Sequence, residues 1–371
     1  MIKVGFIVNQ VSEDPRSTRS RLASAKPYLW PLKYLPANFV QESLFPRFPL
    51  KRLHYATSDV ITDVFGNQCI VEYWGVPRTS SQMMRDQPVG LVVEAGRYLE
   101  KMDCELIGLG AHTSIIGDKG VTVARELKAG VTTGNSLTCW MGVMGALEGA
   151  KLMGIDPMEA TAAVLGAGGS IGGGAAKLLQ NHVGSLLLAG HTSEPLYRTL
   201  SELNHDRARV VSDVRSAVKQ AQIIITVTSS TTTLDLNPED FLPGAVICDI
   251  ARPRDVARWI VDARQDVLVV DGGLVSTRGA NLNGDFGIAP ATAYACMAET
   301  FILGLSGKTG DYSIGGELEM EKVLEIGRLA EVHGFSLEGL RSFDRQVTTE
   351  DIARIRERAE RKLAGQRRIH V

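Results

Sequence analysis

The chain has 371 residues, 44% of them apolar, with 40 Lys and Arg against 42 Asp and Glu for a formal net charge of −2. That length predicts two domains with ample buried cores, the charge argues against nucleic acid as a main partner, and no apolar run approaches the roughly 18–20 residues of a membrane span. Five scattered cysteines (Cys69, Cys104, Cys139, Cys248, Cys296), without metal-ligand spacing and without a signal peptide, predict no metal site and reduced thiols in a soluble, cytoplasmic protein.

In chain order, Lys3 to Val8 reads as a strand, followed by about forty residues with several prolines and basic residues, among them Arg16, Arg19, Lys33 and Arg47. Ser58 to Tyr73 reads as β structure turning at Gly66 and Asn67. Gln82 to Met102 has the apolar spacing of one helix, and Cys104 to Gly110 that of a strand. Residues 1–135 are expected to form a substrate or partner domain. A helix capped by Asn135 or Ser136 then runs to about Met153, its Gly142, Gly145 and Gly149 suited to close packing.

From 136 to 290 the texture changes. Thr161 to Leu165 is an apolar β-type run that stops at Gly166, Gly168, Gly169, Ser170, Ile171 and Gly172, and a helix-compatible run follows. Glycine permits the tight turn and lets the backbone approach a pyrophosphate, which binds the free N–H groups at the positive end of the helix. Further Val/Ile/Leu runs follow at Ser185 to Gly190, Ala208 to Val211, Gln222 to Thr228, Ala245 to Ile250 and Val267 to Asp271, with helices between the first of them. Such runs predict a parallel sheet buried on both faces, hence a Rossmann-type doubly wound α/β domain. Thr228, Ser229, Asp249 and Gly272 lie just past strand ends, where ligands of such sheets bind.

The second strand ends Ala189, Gly190, His191, Thr192, without the acidic residue that usually accepts from the ribose hydroxyls of NAD. His191 and Thr192, with Arg198 from the next helix, suit a 2′-phosphate, so NADPH is the expected cofactor. NADH is the alternative, with Glu194 taking the ribose. A helix from Pro290 to about Leu305 is expected next, then a mixed-charge helix from Thr348 that ends in arginines. Residues 291–371 are expected to be a helical segment packing back on the N-terminal domain.

Three segments carry a resemblance: Gly108 to Ile116, Thr132 to Ser136, and Tyr294 to Glu299, which flank the glycine loop in order. With them the chain, from about Ser58 to Leu337, resembles the long-chain acyl-[acyl-carrier-protein] reductases of cyanobacteria as a divergent member. The resemblance implies that an acyl group passes from a carrier thioester to Cys296 and is reduced to an aldehyde by NADPH, with acyl carrier protein or coenzyme A as partner. His112 stands where the family pattern is apolar; it suits protonation of a developing alkoxide. Thr113 and Ser114 match the family, and with Thr132, Thr133 and Asn135 they are expected to line the substrate cleft.

A thioester-forming cysteine is chemically apt, since sulfur attacks thioesters well and the acyl-enzyme fixes the carbonyl. On the expected helix, however, Cys296 lies two turns from Pro290, where the dipole has faded. Two other readings stay open. One is a shikimate-dehydrogenase-like or amino-acid dehydrogenase with direct hydride transfer, needing a Lys/Asp pair such as Lys119 with Asp118 or Lys101 with Asp103. The other is a nucleotide-sensing protein without turnover. For an acidic carrier, Lys51, Arg52, Arg252, Arg254, Arg258 and the tail arginines are candidate contacts; a homo-oligomer is compatible with the sequence.

Overall fold

The computed structural model describes residues 1–369 apart from 26, 231, 232, 338 and 344, and the side chains of residues 21, 24, 25, 27, 28 and 367–369 lie outside what is described. The chain divides into two compact units, one of residues 1–134, 278–286 and 296–315, the other of 135–277, 287–295 and 316–371. This corrects the three-part expectation: residues 316–371 belong to the second unit. There Val323 and Ile352, from the helices Met320–Val332 and Thr349–Ile369, are buried in its core.

The first unit is built on one mixed sheet. Its strands are β1 (Ile2–Gln10), β2 (His54–Thr57), β3 (Ile61–Thr62), β4 (Gln68–Thr79), β5 (Leu106–Leu109) and β6 (Gly130–Thr132), in the order β2-β4-β1-β5-β6, with β3 also paired to β4. β4, β1, β5 and β6 are parallel, while β2 and β3 run antiparallel to β4. The β3–β4 turn falls at Gly66, φ +85, where the Asp63 carboxylate accepts from the backbone N–H groups of Phe65 and Asn67.

Alternation along the strands sends side chains to two helices. On one face Gly5 lets the helix Val89–Glu100 approach, since a Cβ there would lie 2.6 Å from Leu99, and Trp74 stacks on Tyr98 with ring centroids 5.0 Å apart. On the other face the helix Ala295–Leu305 lies over β1 and β5; a Cβ on Gly304 would lie 2.8 Å from Val4, and one on Gly108 would overlap Thr300 and Phe6. The single helix expected over Gln82 to Met102 is two, Ser80–Asp86 and Val89–Glu100. Pro88 excludes the helical conformation at Gln87, which adopts φ 46.

The second unit holds six parallel strands, β7 (Thr161–Leu165), β8 (Ser185–Ala189), β9 (Ala208–Val210), β10 (Ile223–Thr226), β11 (Val246–Asp249) and β12 (Leu268–Asp271), ordered β12-β11-β10-β7-β8-β9. This is the doubly wound Rossmann order expected from the sequence. Helices Asn135–Met153 and Ser170–Leu179 cover one face, with Val143, Ala146, Ala175 and Leu179 packed on Val164, Ile225 and Val246. Val218, Phe241 and Ile260 cover the other, against Ala163, Ile224 and Ile247. Gly149 brings the first helix close to β11, a Cβ there lying 2.8 Å from Val246.

After β12 the chain forms an antiparallel pair, β13 (Leu274–Ser276) with β14 (Thr292–Tyr294). Ala291 takes a left-handed conformation, φ 57, before β14, so the helix expected from Pro290 begins at Ala295. That shift changes the setting of Cys296.

Candidate active site

The glycine loop of the second unit fits a dinucleotide phosphate on two observations. Gly166 follows β7 with φ +92; a Cβ on Gly172 would overlap the Gly166 carbonyl, and one on Gly168 would lie 2.8 Å from Pro195. No larger residue fits at these three positions. The loop then feeds the helix Ser170–Leu179, whose first N–H groups have no partner within the helix. The Ser170 hydroxyl beside them is buried with no hydrogen-bond partner. An orphaned donor at a helix N-terminus is what a phosphate oxygen satisfies. Ile171 follows in the same first turn.

The other expected cofactor residues are placed less uniformly. His191 and Thr192 are exposed after β8, and the next helix is Ser193–Ser201. Arg198 is exposed on that helix, its Nε 3.7 Å from a Glu317 carboxylate oxygen. Ser229 is exposed past β10. Gly272 is buried, and a Cβ there would lie 2.7 Å from Ile250 and 3.0 Å from Cys248, so its smallness serves packing at the end of β12.

Thr228 belongs to a knot that the sequence did not reveal. The fully buried Asp255 accepts from the Thr226 and Thr228 hydroxyls and, at 2.9 Å, from the Thr228 N–H. Next to it, burial pushes the Asp249 carboxyl up to about 7, although it accepts from the N–H groups of Ala251 (3.1 Å) and Val256 (2.9 Å). Arg252 and Arg254 both pair with Asp271, at 3.6 and 2.9 Å, and Arg254 and Arg258 lie over the Phe343 ring. Internal partners thus occupy three of the arginines expected to meet a carrier.

In the first unit, four segments far apart in sequence meet at the carboxyl ends of β5 and β6. Cys296 is the second residue of an eleven-residue helix, not two turns into one. A first-turn position is one where the helix dipole favours a thiolate. Cys296 is also only half-buried, whereas Cys69, Cys104, Cys139 and Cys248 are buried and burial pushes their thiols up. Gly134, at φ +74, lies against the Cys296 backbone so closely that any Cβ would overlap it.

The threonines before that glycine hold the arrangement together. Thr132 donates to the fully buried Glu299, one turn beyond the thiol, and its oxygen accepts from the N–H groups of Gly134 (3.4 Å) and Ser313 (3.3 Å). Thr133 donates to the Ser313 carbonyl. The Thr113 hydroxyl donates to the carbonyls of Gly110 (2.7 Å) and Ile7 (3.2 Å), and Ser114 to that of Ala111 (2.7 Å). These hydroxyls, expected to line a substrate cleft, are donated to protein groups and position the backbone. Asn135, buried, opens the helix Asn135–Met153 of the second unit.

His112 follows β5 in a 3-10 turn and is 2% exposed, its backbone N–H donating to Asn9 at 2.9 Å and its Nδ1 without a partner. Burial lowers its pKa, opposed in part by Glu13. Tyr73, from β4, was not singled out by sequence. It is fully buried and its hydroxyl has no hydrogen-bond partner.

The family model for shikimate / quinate 5-dehydrogenases matches residues 149–271, the span that contains β7 to β12. Over 307 residues the chain is 31% identical to the aminotransferase PigE of a Serratia species, covering 80% of this chain and 36% of that one. It is 26% identical over 262 residues to the long-chain acyl-[acyl-carrier-protein] reductase of Synechococcus elongatus, covering 66% of this chain and 74% of the relative. Among solved structures, L-tryptophan dehydrogenase from Nostoc punctiforme aligns over 99% of this chain and 89% of its own, at 14% identity and a TM-score of 0.42.

Proposed function

We propose that the protein reduces an acyl thioester to an aldehyde, with NADPH as the electron donor and Cys296 as the residue that takes the acyl group. The family match and the 26% likeness to an acyl-[acyl-carrier-protein] reductase support the coarser assignment, a nicotinamide-dependent dehydrogenase or reductase. The finer reading rests on one observation. Of five cysteines, only Cys296 combines partial exposure with the first turn of a helix. Such a thiol is ionised more readily than a buried one and is open to an electrophile.

Each residue's part follows from its contacts. The thiolate of Cys296 attacks the thioester carbon and the carrier thiol leaves. Gly134 sets the backbone beside the sulfur, and Thr132, Glu299 and Ser313 hold Gly134 in place. Gly166, Gly168 and Gly172 shape the phosphate loop, and Ser170 supplies a hydroxyl to it. The nicotinamide cofactor, when bound, supplies the hydride. The neutral end of β8, with His191 and Thr192 exposed there, supports NADPH over NADH. The acyl donor is a pantetheine thioester, on acyl carrier protein or coenzyme A.

The competing reading is direct hydride transfer to a small hydroxylated substrate, which the family match at 149–271 favours. Its expected Lys/Asp pairs, however, sit on surface turns: Asp118 accepts from the N–H and hydroxyl of Thr122, and Lys101 lies over the Tyr98 ring. Intact mass after mixing with decanoyl-coenzyme A or decanoyl-carrier protein, without NADPH, separates the two. A hydroxylamine-labile adduct, absent from Cys296→Ala, is expected. Lack of an adduct with every donor would transfer the assignment to the direct dehydrogenase.

A further inference from the structure

The first 53 residues differ in charge from the rest of the chain. They hold nine Lys and Arg against three Asp and Glu, a formal +6, in a protein whose total is −2. An asymmetry of that size points to an anionic surface as partner. The three acids already serve the fold: Glu13 accepts from the Ser81 N–H (2.7 Å), Asp14 from the Arg16 N–H (3.0 Å) and Glu42 from the Gln82 side chain (3.3 Å). Arg16, Lys33, Arg47, Lys51 and Arg52 are exposed.

Between β1 and β2 this stretch forms an arm with its own small core. The helix Pro15–Ala25 and the turns over residues 27–52 close around Leu22, Val40 and Phe45. Three donors fasten the arm to the sheet and the helix after it: Trp74 to the Leu50 carbonyl (3.0 Å), Arg78 to that of Pro46 (2.9 Å) and Gln82 to that of Gln41 (3.2 Å). Trp30, Tyr34 and Phe39 are left outside the core, 51%, 68% and 48% exposed. The Trp30 and Tyr34 rings meet edge to face with centroids 5.2 Å apart, and the Lys33 ammonium lies 3.4 Å from the first and 4.8 Å from the second. Large aromatics exposed in mutual contact mark an interaction surface. Polar residues at these positions would leave the arm's core as it is.

We propose that this arm seats the protein on an anionic phospholipid bilayer, with Trp30 and Tyr34 entering the headgroup layer and Lys33 meeting the lipid phosphates. Trp and Tyr favour that layer because each ring has an apolar body and a polar tip. A lysine beside them keeps its ammonium among the headgroups while its stem lies on apolar surface. The remaining basic residues need not touch lipid, since the field of a charged membrane reaches about 8–10 Å at ordinary salt. Charge alone would suit an acidic protein equally. The paired exposed rings favour the bilayer, which accepts apolar area without a complementary surface. The contact is peripheral: among the described residues no helix is long and apolar enough to cross a membrane. None of this depends on the chemistry assigned to Cys296.

The test is sedimentation of the full chain with phosphatidylcholine vesicles made with and without phosphatidylglycerol. Binding is expected with the anionic vesicles, and high salt is expected to release it. Lys33→Glu should weaken it about 10–30-fold, because two unit charges change beside the surface. Trp30→Ala combined with Tyr34→Ala should weaken it about tenfold or more through lost apolar burial. Both variants leave the arm's core intact, so their thermal midpoints are expected to match the parent. In Trp30→Phe, which keeps a ring at that position, binding should persist while quenching of tryptophan emission by brominated phosphatidylcholine falls. Absence of binding to anionic vesicles, equal binding to both kinds, or undiminished binding in both weakened variants overturns the proposal. A parent that is dimeric where the variants are monomeric also overturns it, since a second copy then covers the rings. So does a parent that ignores vesicles but binds acyl carrier protein through the same residues, which gives the face to an acidic protein.

Discussion

His112 shows how one buried side chain ties stability to pH. Burial depresses its folded-state pKa below the unfolded value near 6.5, against a smaller opposite pull from Glu13. In the window below that unfolded value the unfolded chain binds more protons, so stability is present above about pH 6.5 and is lost as pH falls toward the folded pKa. We therefore expect the urea midpoint of the wild type to drop between pH 7 and 5.5 more steeply than that of His112→Gln. Equal slopes would show that another group controls this window. The same depression makes His112 an unprotonated imidazole at neutral pH, suited to accept a hydrogen bond rather than to protonate an alkoxide, the role its sequence context suggested.

At the level of elements, the order of the loop after β11 depends on Asp255. Three donors, the Thr226 hydroxyl and both the hydroxyl and N–H of Thr228, converge on its carboxylate. Asp255→Ala leaves them unpaired, the buried Thr226 hydroxyl at a cost of about 1–3 kcal/mol and the half-buried Thr228 donors at less, before relaxation or water entry. A net loss of about 2–4 kcal/mol in denaturant unfolding is expected, and a loss below about 1 kcal/mol would mean that the loop is held by other contacts. This knot also marks where sequence reading stops. The Val/Ile runs of β7, β10 and β11 announced a buried parallel sheet because such strands need no alternation. Asp255 looked like any loop acid, since what distinguishes it is which donors the fold brings to it. Likewise Thr292 to Tyr294 read as helix because nothing local revealed its pairing with β13, and that pairing decides that Cys296 sits in a first turn. The break at Pro88 was local and could have been read. Tyr73 could not, because lacking a partner is a property of neighbours, not of residue type.

At the scale of the whole molecule, the proposed function assigns its two chemical tasks to different units: the glycine loop belongs to residues 135–277 and Cys296 to 296–315. Disabling one should therefore leave the other's half-reaction intact. Ser170→Asp is the sharpest substitution for this. Its carboxylate would stand at the first position of the helix Ser170–Leu179, where negative charge interacts favourably with the dipole, so folding should not suffer. The same charge repels a dinucleotide phosphate from the N–H groups it would otherwise occupy. We expect NADPH fluorescence titration to show affinity weakened at least about tenfold, the loss of about 1.4 kcal/mol or more, with the thermal midpoint within a degree or two of the parent. Acylation of Cys296 by decanoyl-coenzyme A should proceed at the parent rate, while NADPH-dependent aldehyde release falls away. Undiminished NADPH affinity in Ser170→Asp would remove the glycine loop as the phosphate site. Loss of acylation with the fold intact would show that the thiol depends on the dinucleotide loop, and the two half-reactions would then be one coupled site.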